Sequence, residues 1–237
     1  MKNFGTLYLI PTSLSKRILK DELRERDLEI VKRLKHFIVE TPKSARFALS
    51  GMGIVLQELN MQILDEHTRK KDIQTLLTPL VEGFNVGLMS DAGTPGIADP
   101  GALLVRECHR VGIEVVPLVG PSSIVLALSA SGLNGQSFSF SGYLPKEAER
   151  RRGRIKRLER ESARKNMTQI FIEAPYRNRV LFNDILAVCN SGTLLCVARD
   201  ITGEQESIKT DKIGEWKKRK DINILDLPTI YLILAER

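Results

Sequence analysis

Cysteine is scarce in this chain: Cys108, Cys189 and Cys196 are the only three in 237 residues. An odd, scattered set gives no disulfide framework and points to a reducing, cytoplasmic compartment. Histidine is equally sparse, and His36, His67 and His109 stand far apart with no metal-ligand spacing, so no metal site is expected. No apolar run approaches the length needed to span a bilayer, and no membrane role is expected. The short apolar run in MKNFGTLYLIPTS ends at Pro11 with no small-residue cleavage site behind it, which reads as a first buried strand rather than a signal peptide. The chain lacks a Gly-Lys-Ser/Thr phosphate loop. It also lacks a complete G-x-G-x-x-G, since GMG at 51–53 has no third glycine. Nothing resembles a Ser-His-Asp or Cys-His arrangement, so the familiar hydrolase and nucleotide-loop classes have no carrier here.

What is present is ordinary globular composition, 42% hydrophobic and 27% charged, with a net charge of +7. Most of that excess sits in one segment, KEAERRRGRIKRLERESARK (146–165), where ten Lys/Arg face four Glu, a net of +6. The segment is a helix candidate, either an RNA-backbone contact or a solvated charged surface, with Lys146, Arg150, Arg151 and Arg152 as the candidate RNA residues.

Short β-branched runs alternate with longer segments of helical spacing. Strands are expected over 5–10, 36–40, 61–65, 85–90, 114–119, 137–144, 168–175, 193–202 and 227–236. Helices are expected over 15–36, 44–53, 72–84, 102–113, 120–133 and 177–190, with 206–219 a helix or a hairpin. Strand, loop, helix and strand in repetition predict an α/β protein with largely parallel, in part mixed, sheets. About ten strands are many for one small sheet. Two α/β domains are therefore expected, 1–118 and 119–237, touching along a cleft.

The densest turn chemistry is SDAGTPGIADPG (90–101), between VGLM and ALLVREC. In open α/β sheets ligands bind at the carboxyl ends of strands, which singles out this loop together with PTS (11–13), GPSS (120–123), GYLPK (142–146), EAPYR (173–177), ARD (198–200) and LPT (227–229). Pro95 and Pro100 lack N–H groups and no lysine follows, which argues against a phosphate cradle. Asp91 and Asp99 lack the further acids a divalent cation needs. What remains is a stiff loop suited to an amino-acid-like or nucleoside-like ligand, or a merely structural connection. Ser122 and Ser123 either contact a ligand or cap a helix. Glu173 and Arg177 form either a substrate clamp or an ion pair bracing the next helix.

In combination, SDAGTP, a downstream GPS, and FSFSGYLPK (138–146), continued by FIEAPYR (171–177) and VARDIT (197–202), make the sequence similar to the tetrapyrrole methylase superfamily, in its branch of small-subunit ribosomal RNA methyltransferases. The resemblance runs from LYLIPTS to YLILAE. It implies two α/β domains with S-adenosylmethionine in the cleft between them, a homodimer, and 2′-O-methylation of a cytidine ribose in small-subunit ribosomal RNA. Carried onto this chain, it puts the cofactor against Pro11, Asp91, Ala92, Gly93, Thr94, Pro95, Ile97, Ser122 and Ser123, and on the C-terminal side near Phe171, Ala198, Pro228 and Thr229. Glu40, Lys146, Glu173 and Arg177 fall on the substrate side, and no catalytic base is assigned. The chain departs from the family's pattern in PTSLSKR (11–17), VETPKSAR (39–46) and DEHTRKKD (65–72). A tetrapyrrole or a protein side chain as acceptor, or an RNA-binding or ribosome-assembly role without turnover, are the alternative readings.

Overall fold

The computed structural model describes residues 3–15, 22–69, 72–219 and 226–235. The chain divides into two compact units, Met1–Ser122 and Ser123–Arg237.

The N-terminal unit is built on five strands, β1 (Leu7–Leu9), β2 (His36–Val39), β3 (Asn60–Ile63), β4 (Val86–Met89) and β5 (Val115–Pro117). They pair in the order β3-β2-β4-β1-β5, all parallel. VGLM of β4 is buried at every position, as a strand covered on both faces must be. The helices are α1 (Glu25–Arg33), α2 (Pro42–Gly51), α3 (Ile73–Leu76), α4 (Thr78–Val81) and α5 (Gly101–Val111). In α5, Leu104 and Cys108 share a buried stripe, and Gly112 ends the helix in the left-handed conformation at φ 82°. Two separate apolar clusters form, one including Leu7, Ile38, Leu80 and Leu104, the other Ile10, Phe37, Leu49 and Met89.

The C-terminal unit carries β6 (Phe138–Tyr143), β7 (Thr168–Glu173), β8 (Leu194–Arg199), β9 (Ser207–Lys212) and β10 (Thr229–Leu234), in the order β6-β7-β10-β8-β9. Only β6 and β7 run parallel, and the other three pairings are antiparallel. Its helices are α6 (Ser123–Ser131), α7 (Ala148–Lys165), α8 (Asn178–Val188) and α9 (Ile213–Lys218). Ile155 and Leu158 of α7, Leu181 and Ile185 of α8 and Trp216 of α9 pack with Phe171 and Tyr231 of the sheet.

Three expectations change. The helix expected over 72–84 is two short helices, because Pro79 falls at the start of the second and has no N–H to continue the first. The long helix expected over 15–36 is described as α1 only from Glu25, and residues 16–21 lie outside the described set. The second sheet is mainly antiparallel, since β8 and β9 form a hairpin and β10 inserts beside them in the opposite sense. The three cysteines are buried and unpaired, and burial pushes the Cys108 and Cys189 thiols up to about 12. Among the described residues, no helix is long and apolar enough to cross a membrane, and no three His, Cys, Asp or Glu side chains converge as metal ligands.

Candidate functional site

Within the N-terminal unit the loops at the carboxyl ends of β1, β2, β4 and β5 are tied to one another. Thr12, just past β1, exchanges both backbone hydrogen bonds with Gly93, past β4: Thr12 N–H donates to Gly93 O at 2.8 Å and Gly93 N–H to Thr12 O at 3.0 Å. The Thr12 hydroxyl also donates to Ser90 O at 3.0 Å. The Thr94 hydroxyl donates to Pro121 O at 3.4 Å, joining the loop after β4 to the loop after β5. Asp27 of α1, wholly buried, accepts from Arg24 at 2.7 Å and from Val119 N–H at 3.3 Å, which anchors the same β5 loop from below.

Two glycines are required here. Gly93 has φ 74°, and a Cβ on it would lie 3.3 Å from Leu14 Cδ2. Gly120 lies so close to Pro11 that an added Cβ would sit 2.2 Å from the proline Cγ. Any side chain at Gly120 would therefore push the β1 and β5 loops apart. Within the long loop, Asp99 accepts Gly96 N–H at 2.7 Å and Gly101 N–H at 2.6 Å, folding the loop back onto the start of α5.

An acidic corner sits where β2 and β4 end. Asp91 N–H donates to Glu40 Oε2 at 3.1 Å, and the Thr41 hydroxyl donates to Asp91 Oδ2 at 2.8 Å. Burial lifts Glu40 above the usual carboxylate range, and the charges of Asp91, Asp99 and Glu66 add to that rise against the lowering by Asp91 N–H. Asp99 is raised as well, by burial, against the lowering by its N–H donors. Ala92 and Ile97 of the same loop are exposed, Ile97 by 50%. The rim is thus free of side chains at Gly93 and Gly96, negative at Glu40 and Asp91, and apolar at Ile97. Such a surface fits a cationic sulfonium nucleoside and is poorly suited to a phosphate.

The structure therefore brings Pro11, Asp91, Ala92, Gly93, Thr94, Pro95 and Glu40 into one ring, with Ser122 following the Pro121 carbonyl that Thr94 contacts. Ser123 begins α6 in the other unit. In the C-terminal unit, Phe171 lies opposite Tyr231, Ala198 opposite Ile230, and Thr229 between Glu173 and Arg199, so these candidates gather at one end of that sheet. Phe171 and Ala198 are fully buried, with Phe171 stacked on Tyr231 at 6.0 Å. Their side chains are core. Thr229 is also inside, its hydroxyl donating to Leu227 O at 2.9 Å, while Pro228 is exposed.

The substrate-side candidates are corrected in part. Arg177 pairs with Glu173 at 2.8 Å, and the Glu173 carboxylate is fully buried, an arrangement that fits the bracing reading at the start of α8. Arg151 is not on the surface. Its guanidinium, 5% exposed, meets Asp184 of α8 at 2.6 Å and donates to Lys146 O at 2.6 Å. The physical reason is helical position: Arg151 lies four residues before Ile155, on the stripe that faces the core. Arg152 is half exposed and shares Asp184 at 2.6 Å, whereas Lys146 and Arg150 are exposed. Thr12, Asp27, Thr41 and Gly120 shape the site without having been singled out from sequence, although Thr12 and Gly120 lie in loops that were.

The family profile Tetrapyrrole (Corrin/Porphyrin) Methylases matches residues 11–217. The chain is 35% identical over 220 residues to a protein of Escherichia coli O157:H7 named ribosomal RNA small subunit methyltransferase I, covering 92% of this chain and 73% of that one. The Vibrio cholerae protein of the same name is 33% identical over 209 residues, covering 88% and 69%. The crystal structure of the methyltransferase CobJ superposes with a TM-score of 0.63 at 18% identity, over 98% of this chain and 94% of that one, a likeness of fold.

Proposed function

The chain belongs to the tetrapyrrole methylase family, and from that premise we propose that this S-adenosylmethionine-dependent methyltransferase acts on a ribose 2′-oxygen of a cytidine in small-subunit ribosomal RNA. The observation that carries the reading is the ring of strand-end loops in the N-terminal unit, bridged by Thr12 and Gly93 and negative at its Glu40–Asp91 corner. The names of its relatives direct the choice of acceptor.

S-adenosylmethionine supplies an electrophilic methyl on a positively charged sulfur. The chain's part is mainly placement. The Thr12–Gly93 bridge and the Asp99 anchors hold the loop rigid before any ligand arrives, and rigidity of this kind lowers the entropic cost of aligning acceptor and methyl. Carboxylates at Glu40 and Asp91 set a negative potential suited to the cofactor's cationic end. On this reading Pro11, Asp91–Pro95, Ile97, Ser122 and Ser123 contact the cofactor. Pro228 and the strand ends near Phe171, Ala198 and Thr229 contribute from the C-terminal unit. Homodimerisation and a cytoplasmic location belong to the same proposal.

Transfer of tritiated methyl groups into purified small ribosomal subunits, set beside bulk RNA and protein, tests the assignment. Label confined to the ribosomal RNA as 2′-O-methylcytidine is expected. Label in protein or on a tetrapyrrole, or none at all, would refute it.

A further inference from the structure

The basic segment resolves into two faces. Along α7, Arg151, Ile155, Leu158, Glu159 and Ser162 are buried. The outward face carries Arg150, Gly153, Arg157, Arg160 and Arg164, at steps of three and four residues, with Lys156 alongside. Arg150, Lys156, Arg157 and Arg160 pair with no acid among the described residues. Two acids border the stripe, Glu149 at its first turn and the half-buried Glu161 beside Arg160.

At its far end the stripe opens into a cavity of about 400 Å3 lined by Arg160, Lys212, Asn190, Gly192 and Thr193, with Glu159 in its wall. Glu159 is not a competing anion site. Its carboxylate is buried and accepts Asn190 N–H at 2.7 Å and the Thr193 hydroxyl at 2.6 Å, holding the cavity wall in shape. Arg160 and Lys212 are exposed at its rim, and neither side chain pairs with an acid among the described residues. Lys212 pairs with Leu194 at the start of β8, whereas the candidate cofactor residues lie at the other end of that strand, where Arg199 pairs with Thr229. The strand's six residues separate the two by roughly 17 Å.

Gly153 adds an independent sign. A glycine inside a helix destabilises it by comparison with alanine, yet a Cβ here would meet nothing within 4 Å. No packing demand in the structure accounts for it. It leaves the centre of the stripe bare between Arg150 and Arg157, where a backbone could approach closely.

We infer that the outward face of α7 and the adjoining Arg160–Lys212 cavity form a track for the RNA phosphate backbone, remote from the cofactor residues of this unit. The inference rests on the RNA reading above and assigns the contact to Arg150, Arg157, Arg160 and Lys212, not to Arg151. Substrate is then gripped well away from the target nucleotide by contacts blind to sequence.

The test compares wild type, R157A/R160A/K212A, the conservative R157K/R160K, and the charge-matched control K32A/K35A/R110A, whose cations are already paired with Glu29, Glu58 and Glu107. Binding of a labelled RNA hairpin is measured between about 50 and 200 mM salt. Loss of three phosphate contacts should lower the salt slope by about 2 to 3 and weaken binding roughly tenfold or more. R157K/R160K and the control should bind as wild type does. In methyl transfer, KM for RNA should rise while kcat and cofactor affinity hold. An unchanged slope in R157A/R160A/K212A, or an equal loss in the control, overturns the track and leaves the RNA reading standing. A wild type that binds no RNA overturns both.

Discussion

Asp184 makes the C-terminal unit vulnerable to a single substitution. Its carboxylate, 4% exposed, receives Arg151 at 2.6 Å on one oxygen and Arg152 at 2.6 Å on the other. In Asp184→Ala the Arg151 guanidinium stays buried with only backbone carbonyls, Lys146 O at 2.6 Å and Pro145 O at 3.4 Å, to face. A buried charge left without its counter-ion costs about 3–5 kcal/mol. Arg151→Ala is milder, roughly 2–3 kcal/mol, because Asp184 keeps Arg152 as a partner and loses charged hydrogen bonds rather than all compensation. Arg152→Ala should cost under about 1 kcal/mol, since that side chain is half in water. The single tryptophan makes this measurable. Trp216 lies in the same core, edge-on to Phe182 of α8 at 5.6 Å and donating to Leu195 O at 2.9 Å. Its fluorescence in urea therefore reports the unit that holds the pair. With a slope of about 2 kcal/mol per molar, Asp184→Ala should lower the midpoint by roughly 2 M. The double substitution of Arg151 and Asp184 should cost less than the sum of the singles. Equal midpoints for wild type and Arg151→Ala, or an Arg152→Ala loss as large as that of Asp184→Ala, would refute the burial argument.

Three further outcomes are expected. Gly93→Val forces a branched residue into φ 74° beside Leu14, and calorimetry should show no S-adenosylmethionine binding while the Trp216 urea midpoint holds; unchanged affinity would remove the loop from the cofactor site. Glu40 has a raised pKa, so its native form keeps a proton to higher pH than its unfolded form does. That stabilising contribution is complete below the ordinary glutamate range and disappears as pH rises through the raised value. Glu40→Gln, uncharged throughout, should therefore gain stability relative to wild type between acid and neutral pH in urea titrations followed by circular dichroism, and a difference that stays flat with pH would contradict the burial of this carboxyl. Gly153→Ala should stabilise the C-terminal unit by roughly 0.5–1 kcal/mol in the Trp216 urea titration, and a loss instead would mean that the bare helix surface has a packing role.

Much of this was written in local pattern. The all-apolar VGLM announces a strand buried on both faces, and the turn residues that follow it mark the loop that does become the centre of the N-terminal ring. What could not be read is contact between distant segments. Glu40 and Asp91 lie far apart in sequence, and nothing in either segment says that their strands are neighbours; the β2–β4 pairing alone makes the corner. The strand β9 was ambiguous because SIKTDK is polar and half exposed, as an edge strand can be. Arg151 is a different case. The spacing Arg151, Ile155, Leu158 and Ser162 already places it on the inward stripe, and adjacency in sequence to Arg150 and Arg152 does not put it on their face of the helix.

The placement of charge bears on why a basic protein of this kind carries an acidic site. A net of +7 spread evenly would oppose a cationic cofactor and invite RNA phosphates onto the loops that must receive it. Instead the strand-end corner of the N-terminal unit holds Glu40, Asp91 and Asp99, while the excess cations line the outer face of α7 in the C-terminal unit. On the proposed reading oppositely charged ligands are met by different surfaces of one chain, and salt should act on them unequally. Screening weakens the exposed α7 stripe strongly, because its partner is a polyanion whose counter-ions are released on binding. It weakens the partly buried corner far less. Raising salt should therefore increase the KM for RNA steeply while the cofactor's affinity changes little, and parallel losses in the two would mean that both ligands depend on the same field.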